Sequence, residues 1–91
     1  MTALYGFAYT EAALKYLAMV SPKIRSQIKS KVEMLATNPY PPKSKKLHGI
    51  TENDDPVYRI RSGDYRILYL VRTNPDQVII LDIDNRKGVY R

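Results

Sequence analysis

The segment Tyr58–Tyr69 constrains the fold more than any other part of the chain. It consists of two runs of alternating residues that flank Gly63-Asp64. This pattern predicts two antiparallel strands joined by a two-residue type II′ turn, because glycine accepts the positive φ at the first central position. The turn pairs Ser62 with Tyr65 and thereby sets the register of the whole hairpin.

In this register the two faces of the hairpin differ in chemistry. The inward pairs are Ile60 with Ile67 and Tyr58 with Tyr69, and the outward pairs are Arg61 with Arg66 and Arg59 with Leu68. Two arginines directly opposite each other repel, so solvent, an anionic ligand or a carboxylate such as Asp64 or Asp82 must offset the repulsion. Removing either arginine should relieve it without leaving a cavity. Three arginines on one face could also bind one phosphate group.

Two helices are predicted before this hairpin. Thr10 and Ser21 are suitable N-cap residues, Pro22 suits the first position of the second helix, and Asn38-Pro39 ends it. Apolar residues recur at helical spacing on one face of each helix. They are Ala13, Leu14, Leu17 and Ala18 in the first helix and Ile24, Ile28, Val32 and Leu35 in the second.

The complete pattern predicts an α+β fold. The first strand is expected at residues 3–9. Residues 39–46 are expected to form a stiff basic loop, and residues 51–56 an acidic turn. Three further strands are expected at residues 57–61, 65–72 and 77–84. The order β-α-α-β-β-β predicts a small antiparallel-rich sheet with the helical hairpin on one face. A length of 91 residues predicts a single domain over residues 1–91.

Composition narrows the functional classes. The net charge of +6 favours a polyanionic partner. The absence of cysteine excludes a disulfide scaffold, a thiolate nucleophile and a cysteine-based zinc site. No signal peptide or membrane span is visible, so a cytoplasmic protein without membrane attachment is expected. No set of side chains has convincing metal-ligand spacing, and no cofactor is expected.

Several residues outside the hairpin are candidates for binding nucleic acid. Lys43, Lys45 and Lys46 suit RNA phosphates, and they suit a solvated loop equally well. Tyr65 and Tyr90 are candidates for stacking on a base, and Lys87 for a contact with RNA. Asp82 and Asp84 share one face of a strand and could hold a cation there. The favoured interpretation is that they screen the charge of nearby arginines.

The hairpin Tyr58–Tyr69 resembles the central hairpin of RelE-type toxins in the RelE/ParE superfamily. Lys46–Gly49 resembles the Lys-Leu-x-Gly element that precedes that hairpin, and Asn85–Arg91 resembles the C-terminal element of the same family. The likeness therefore covers nearly the whole chain, and the central hairpin is its specific part.

The resemblance implies a small sheet with two helices on one side and the toxin of a type II toxin-antitoxin system. RNA-cleaving members enter the ribosomal A site and cut messenger RNA there. The 2′-hydroxyl attacks the adjacent phosphate, and no metal is needed. By the same resemblance the partners are an antitoxin, the ribosome and messenger RNA, and the catalytic residues are Arg59, Arg61, Arg66, Arg86 and Tyr90.

One position departs from the family pattern. Many relatives carry histidine or a basic residue where this chain has Asn85, and asparagine cannot transfer a proton near neutral pH. The single histidine, His48, is better interpreted as structural, and arginine is a poor general base because its pKa lies above about 12. A ParE-like toxin that poisons DNA gyrase, and an inactive member that only binds antitoxin or RNA, therefore remain as alternatives.

Overall fold

A computed structural model of the chain describes residues 4–85. Its elements are β1 (Gly6–Tyr9), α1 (Glu11–Met19), α2 (Pro22–Thr37), β2 (Lys45–Glu52), β3 (Asp55–Ser62), β4 (Tyr65–Arg72) and β5 (Gln77–Asn85). The strands form one sheet in the order β1-β5-β4-β3-β2, in which β1 runs parallel to β5 and all other neighbours are antiparallel. The predicted α+β class is confirmed. No helix within residues 4–85 is long and apolar enough to cross a membrane.

Strand β2 corrects the predicted basic loop and acidic turn, and it adds a strand to the predicted order. Its pairing with β3 shifts register between Lys46 and Thr51, with Gly49 at a φ of +73° inside the shift. Asn53 and Asp54 then form the hairpin turn with φ values of +52° and +70°, the positive values that a type I′ turn requires at both positions. An irregular ladder of this kind lacks the alternation by which strands are recognised in a sequence.

The central hairpin has the predicted register. All five predicted pairs between β3 and β4 are present, from Tyr58 opposite Tyr69 to Ser62 opposite Tyr65. Gly63 has a φ of +60°, as expected for the first central position of the turn. The arginines of β3 and β4 consequently lie on the face of the sheet opposite to Ile60 and Ile67.

The predicted helix boundaries are confirmed. The Thr10 side chain accepts a hydrogen bond from the Ala13 amide at 3.2 Å, and the Ser21 side chain accepts one from the Ile24 amide at 3.3 Å. Helix α2 ends at Asn38. These caps satisfy amide groups that a helix leaves without intrahelical partners.

The core lies between the helices and the inner face of the sheet. Its buried members are Ala13, Leu17, Ile28, Val32, Leu35, Ile60, Ile67, Tyr69, Val78, Ile80 and Ile83. Leu14 and Ala18, which share the helical spacing of Ala13 and Leu17, lie outside this core, and Leu14 is 53% exposed. Helix α1 turns Ala13 and Leu17 towards β5, and a neighbouring residue points about 100° away from that direction.

A β-bulge in β5 decides which side chains reach each face. Leu68 pairs with Asp82, whereas the next residue, Tyr69, pairs with Ile80, so Leu81 is an extra residue in β5. The Thr10 hydroxyl donates a hydrogen bond to the carbonyl of Leu81 at 2.6 Å. Beyond the bulge Ile83 faces the core, and the two aspartates of β5 lie on the outer face.

Candidate nucleic-acid interface

A groove of about 710 Å³ lies along the outer edge of β3. Strand β2 begins at Lys45, opposite Arg59, so within residues 4–85 no strand covers that edge beyond Arg59. Side chains from helix α2 and from the loop after it line the groove together with those of β2 and β3. The lining residues are Lys31, Met34, Pro41, Pro42, Lys43, Lys45, Arg59, Ile60 and Arg61.

The groove brings together four residues that the sequence marked as candidates: Lys43, Lys45, Arg59 and Arg61. Lys31 joins them, and no carboxylate is among the nine lining residues. Like charges at such density create a positive potential that attracts polyanions. The groove can therefore bind the phosphates of a nucleic-acid backbone.

Two lining residues, Lys31 and Met34, were not identified as candidates from the sequence. Both lie in α2 and point away from its buried stripe, where a lysine or a methionine normally has no function. The sequence feature that could have identified them is their separation of three residues. This spacing places both on one side of the helix, just before the proline-rich loop.

The loop that forms one wall of the groove is held by buried contacts. The Tyr69 hydroxyl donates a hydrogen bond to the Pro39 carbonyl at 2.7 Å, and burial raises the pKa of Tyr69 to about 12. The Tyr58 ring lies between those of Tyr69 and Tyr40, with centroid distances of 5.8 and 5.1 Å. Ser44 closes the loop with a hydroxyl hydrogen bond of 2.7 Å to a backbone carbonyl. These contacts hold the wall of the groove against the core.

A carboxylate offsets the repulsion between Arg61 and Arg66. Arg66 Nε and Nη2 donate to the two carboxylate oxygens of Asp84 at 2.9 and 3.0 Å. Their side chains are 27% and 35% exposed, so the pair is partly shielded from water. Asp84 is a partner of Arg66, and the screening predicted for the β5 aspartates is confirmed at this position. The bidentate contact fixes the plane of the guanidinium group.

The remaining candidates lie elsewhere. Lys46 is exposed opposite Tyr58 and does not line the groove. Tyr65 faces the helices and contacts the Tyr16 ring with a centroid distance of 6.2 Å, on the face opposite to Arg66. His48 is exposed on β2 and does not line the groove. The roles suggested for Arg86, Lys87 and Tyr90 concern residues outside the described range.

Acidic residues and histidine do not form a metal site in the described part of the chain. No group of three or more such side chains within residues 4–85 is arranged to hold a metal ion. Of the two β5 aspartates, Asp84 contacts Arg66, and Asp82 accepts a hydrogen bond from the Ile83 amide at 2.9 Å.

Comparison with known proteins identifies the family. The model of the ParE toxin of the type II toxin-antitoxin system parDE matches residues 7–90. The chain belongs to the RelE/ParE superfamily of toxins. Among its relatives is a candidate toxin, RelE1 of Methanocaldococcus jannaschii, which is 36% identical over 78 residues, or 86% of each chain. The resemblance stated for the central hairpin is confirmed, and the protein is a toxin of the RelE type.

Solved structures of RelE-type toxins have the same fold. A chain of the archaeal RelE-RelB complex from Pyrococcus horikoshii OT3 matches with a TM-score of 0.76 and 27% identity, covering 94% of this chain and 97% of that one. A chain of the toxin-antitoxin complex RelBE2 from Mycobacterium tuberculosis matches with a TM-score of 0.76 and 25% identity, covering 94% and 95%. The isolated RelE toxin of E. coli matches with a TM-score of 0.72 and 26% identity, covering 89% and 83%.

Proposed function

We propose that this RelE-type toxin is a ribosome-dependent endoribonuclease that inhibits translation by cutting messenger RNA in the A site. The observation that carries the proposal is the convergence of Arg59 and Arg61 with lysines in one groove, beside an Arg66 held in a fixed orientation. A groove of this chemistry suits a phosphodiester chain, and Arg66 extends it across the sheet.

The protein contributes positioning and charge stabilisation to this reaction, and water serves as the proton acceptor and donor. The 2′-hydroxyl oxygen attacks the neighbouring phosphorus as its proton passes to water. The bond from phosphorus to the 5′-oxygen breaks as that oxygen takes up a proton from water, and a 2′,3′-cyclic phosphate and a 5′-hydroxyl result. Guanidinium groups stabilise the negative charge that develops on the phosphoryl oxygens, and the groove aligns the chain for attack. Because the nucleophile belongs to the substrate, we propose a metal-independent reaction. Arg86 and Tyr90 complete the proposed catalytic set by family resemblance.

An acidic antitoxin is the proposed partner that restrains this activity. The solved relatives from P. horikoshii and M. tuberculosis are toxin-antitoxin complexes. We propose that residues 1–91 form one toxin domain that assembles with such a partner in the cytoplasm. A cationic groove should be covered by an acidic segment, so the complex should weaken as ionic strength rises. Affinity that is independent of salt would indicate mainly apolar contacts instead.

Gyrase poisoning is the second candidate, because the matching family model is described as a ParE toxin. The two functions differ in which process stops first when the toxin is induced without antitoxin. Under the proposed function, incorporation of radiolabelled amino acids falls before DNA synthesis does. Earlier arrest of DNA synthesis would support the gyrase function.

The decisive experiment maps cleavage of ribosome-bound messenger by the purified protein and identifies the ends of the products. We expect cuts at the A-site codon that leave a 2′,3′-cyclic phosphate or its 3′-phosphate product. End-group analysis is preferable to chelation because ribosomes themselves need magnesium. Products with 5′-phosphate and 3′-hydroxyl ends would contradict the mechanism.

A further inference from the structure

The groove contains an apolar surface that binding of phosphates does not explain. Met34, Pro41 and Pro42 lie among the five cationic side chains, and the buried Ile60 also lines the groove. Met34 is 58% exposed, although the apolar residues on the inner face of the same helix are buried. An exposed apolar surface surrounded by charge is typical of a binding site whose ligand has both an apolar face and opposite charge.

The size and rigidity of the groove also fit a ligand. Its volume of about 710 Å³ lies within the range of about 300 to 1,000 Å³ that is usual for small-molecule sites. The prolines belong to a loop held by the Pro39 carbonyl contact to Tyr69 and by Ser44. A preformed wall lowers the entropy lost on binding.

We infer that the groove holds one unpaired nucleotide of the RNA next to the cut, with its base on Met34, Pro41 and Pro42. Its flanking phosphates lie among Lys31, Lys43 and Arg59. This subsite rests on the proposed function, because Arg59 belongs to both. A nucleotide is the occupant that the observations favour, since a base supplies a flat apolar face at a fixed distance from two negative charges.

Binding of a labelled single-stranded 2′-O-methyl RNA octanucleotide tests the subsite. This RNA lacks the 2′-hydroxyl and cannot be cut by the proposed reaction. Met34→Ala should weaken binding about fivefold through the lost apolar contact. The matched control is Met19→Ala, because Met19 is 77% exposed on α1 and does not line the groove; it should bind like the unaltered protein.

An abasic octanucleotide shows whether Met34 contacts a base. The unaltered protein should lose affinity when the base at one position is removed, and Met34→Ala should add no further loss at that position. Lys31→Gln should lower the slope of log affinity against log salt by about 0.7, the value for one phosphate contact on a single strand. Lys29→Gln, also on α2 but outside the groove, should leave the slope unchanged.

Four results would overturn the subsite. The first is that the octanucleotide does not bind at low salt, and the second is that Met34→Ala and Met19→Ala bind it with equal affinity. The third is that Met34→Ala weakens binding of every abasic RNA as much as it weakens binding of the intact RNA. The fourth is that an oligoglutamate peptide binds as tightly as the octanucleotide. The last would indicate a peptide groove. If the protein binds RNA through Met34 but leaves messenger intact, the nuclease proposal fails alone. If it cuts messenger and Met34→Ala binds normally, the subsite fails alone.

Discussion

Strands β3 and β4 form one hairpin and carry two arginines each, but the surroundings of these arginines differ. On β4, Arg66 pairs with Asp84 across the sheet and Arg72 pairs with Asp55 at 3.3 Å. On β3, both arginines line a groove with three lysines and without a carboxylate among its lining residues. Each arginine of β4 therefore has a carboxylate partner, whereas the arginines of β3 line a groove whose other charged lining residues are lysines.

An arginine can provide either orientation or attraction, depending on its neighbours. A bidentate carboxylate fixes the guanidinium group and cancels much of its charge, so the gain is orientation. A cluster of cations keeps its charge, so the gain is attraction of a polyanion. We expect Arg66 to act mainly through its position and the lysines of the groove mainly through binding.

The largest expected effect belongs to Arg66→Ala. Loss of a donor to the transition state should lower single-turnover cleavage on ribosomes on the order of a hundredfold, or about 2.7 kcal/mol. Register alone predicts a slight gain in stability from relieved repulsion. The ion pair reverses this expectation, and thermal melting should show a loss of about 1 kcal/mol because Asp84 loses its partner.

Arg72→Ala is the matched control for this change, because it also breaks an arginine-aspartate pair on β4. Its cleavage rate should stay unchanged. Arg66→Lys should recover only part of the activity, since an ammonium group cannot reproduce the bidentate fork. Full cleavage by a folded Arg66→Ala protein would remove the arginine hairpin from the active site.

The second-largest effect is expected from Asp84→Asn, which tests whether Asp84 serves to orient Arg66. Asp84→Asn removes the charge that fixes Arg66, and the cleavage rate should fall about tenfold with little change in RNA affinity. Asp82→Asn alters the same face of β5 without touching this pair and should cleave normally. If Asp84→Asn lowers the rate as much in an Arg66→Ala background as it does alone, Asp84 does not act through Arg66.

Tyr69 supports the groove because it holds the loop that carries Lys43. Tyr69→Phe leaves the Pro39 carbonyl without its donor and should lower the free energy of unfolding by about 1 to 2 kcal/mol. Tyr40→Phe keeps its ring contact with Tyr58 and serves as the control. Equal urea unfolding of the two variants at pH 7 would contradict the anchoring role.

The same residue predicts a pH dependence. The folded-state pKa of Tyr69 is about 12, above the ordinary value of 10, so folding favours the neutral phenol. Its contribution to stability is therefore complete below pH 10 and is lost as the pH rises towards 12. Urea unfolding between pH 9 and 12 should show the unaltered protein losing stability more steeply than Tyr69→Phe.

The smallest effects are expected from single lysines of the groove. Lys43→Gln or Lys45→Gln should weaken ribosome binding severalfold and reduce its salt dependence, while the cleavage rate at saturation stays the same. Lys46→Gln, which does not alter a lining residue, should have less effect on both. An equal effect of all three would show that the charge of the loop matters and the groove does not.

The features that the sequence predicted correctly are those encoded by neighbouring residues. The register of the central hairpin follows from the positive φ that Gly63 accepts and from alternation over Tyr58–Tyr69. The buried face of α2 follows from apolar residues at helical spacing, and its start follows from Ser21 and Pro22. Each pattern acts through hydrogen bonds and packing within a few residues, so it is visible in the local sequence.

Strand β2 was missed because its pairing is irregular. Its ladder to β3 is interrupted between Lys46 and Thr51, and the interruption removes the two-residue period that marks a strand. The turn at Asn53 and Asp54 joins it to β3 through a conformation that more often uses glycine. Pairing with a neighbouring strand, rather than local preference, made this segment a strand.

The candidate site was decided by contacts between distant parts of the chain. Strict alternation after Val78 and Ile80 would point the β5 aspartates into the core, and the bulge at Leu81 turns them to the outer face, where Asp84 meets Arg66. The bulge accepts a hydrogen bond from Thr10, 71 residues earlier. The sequence determined which side chains share a face of the central hairpin. Only the pairing of β4 with β5 brought Asp84 to Arg66, and only the packing of α2 and the following loop beside β3 formed the groove, because these partners lie far apart along the chain.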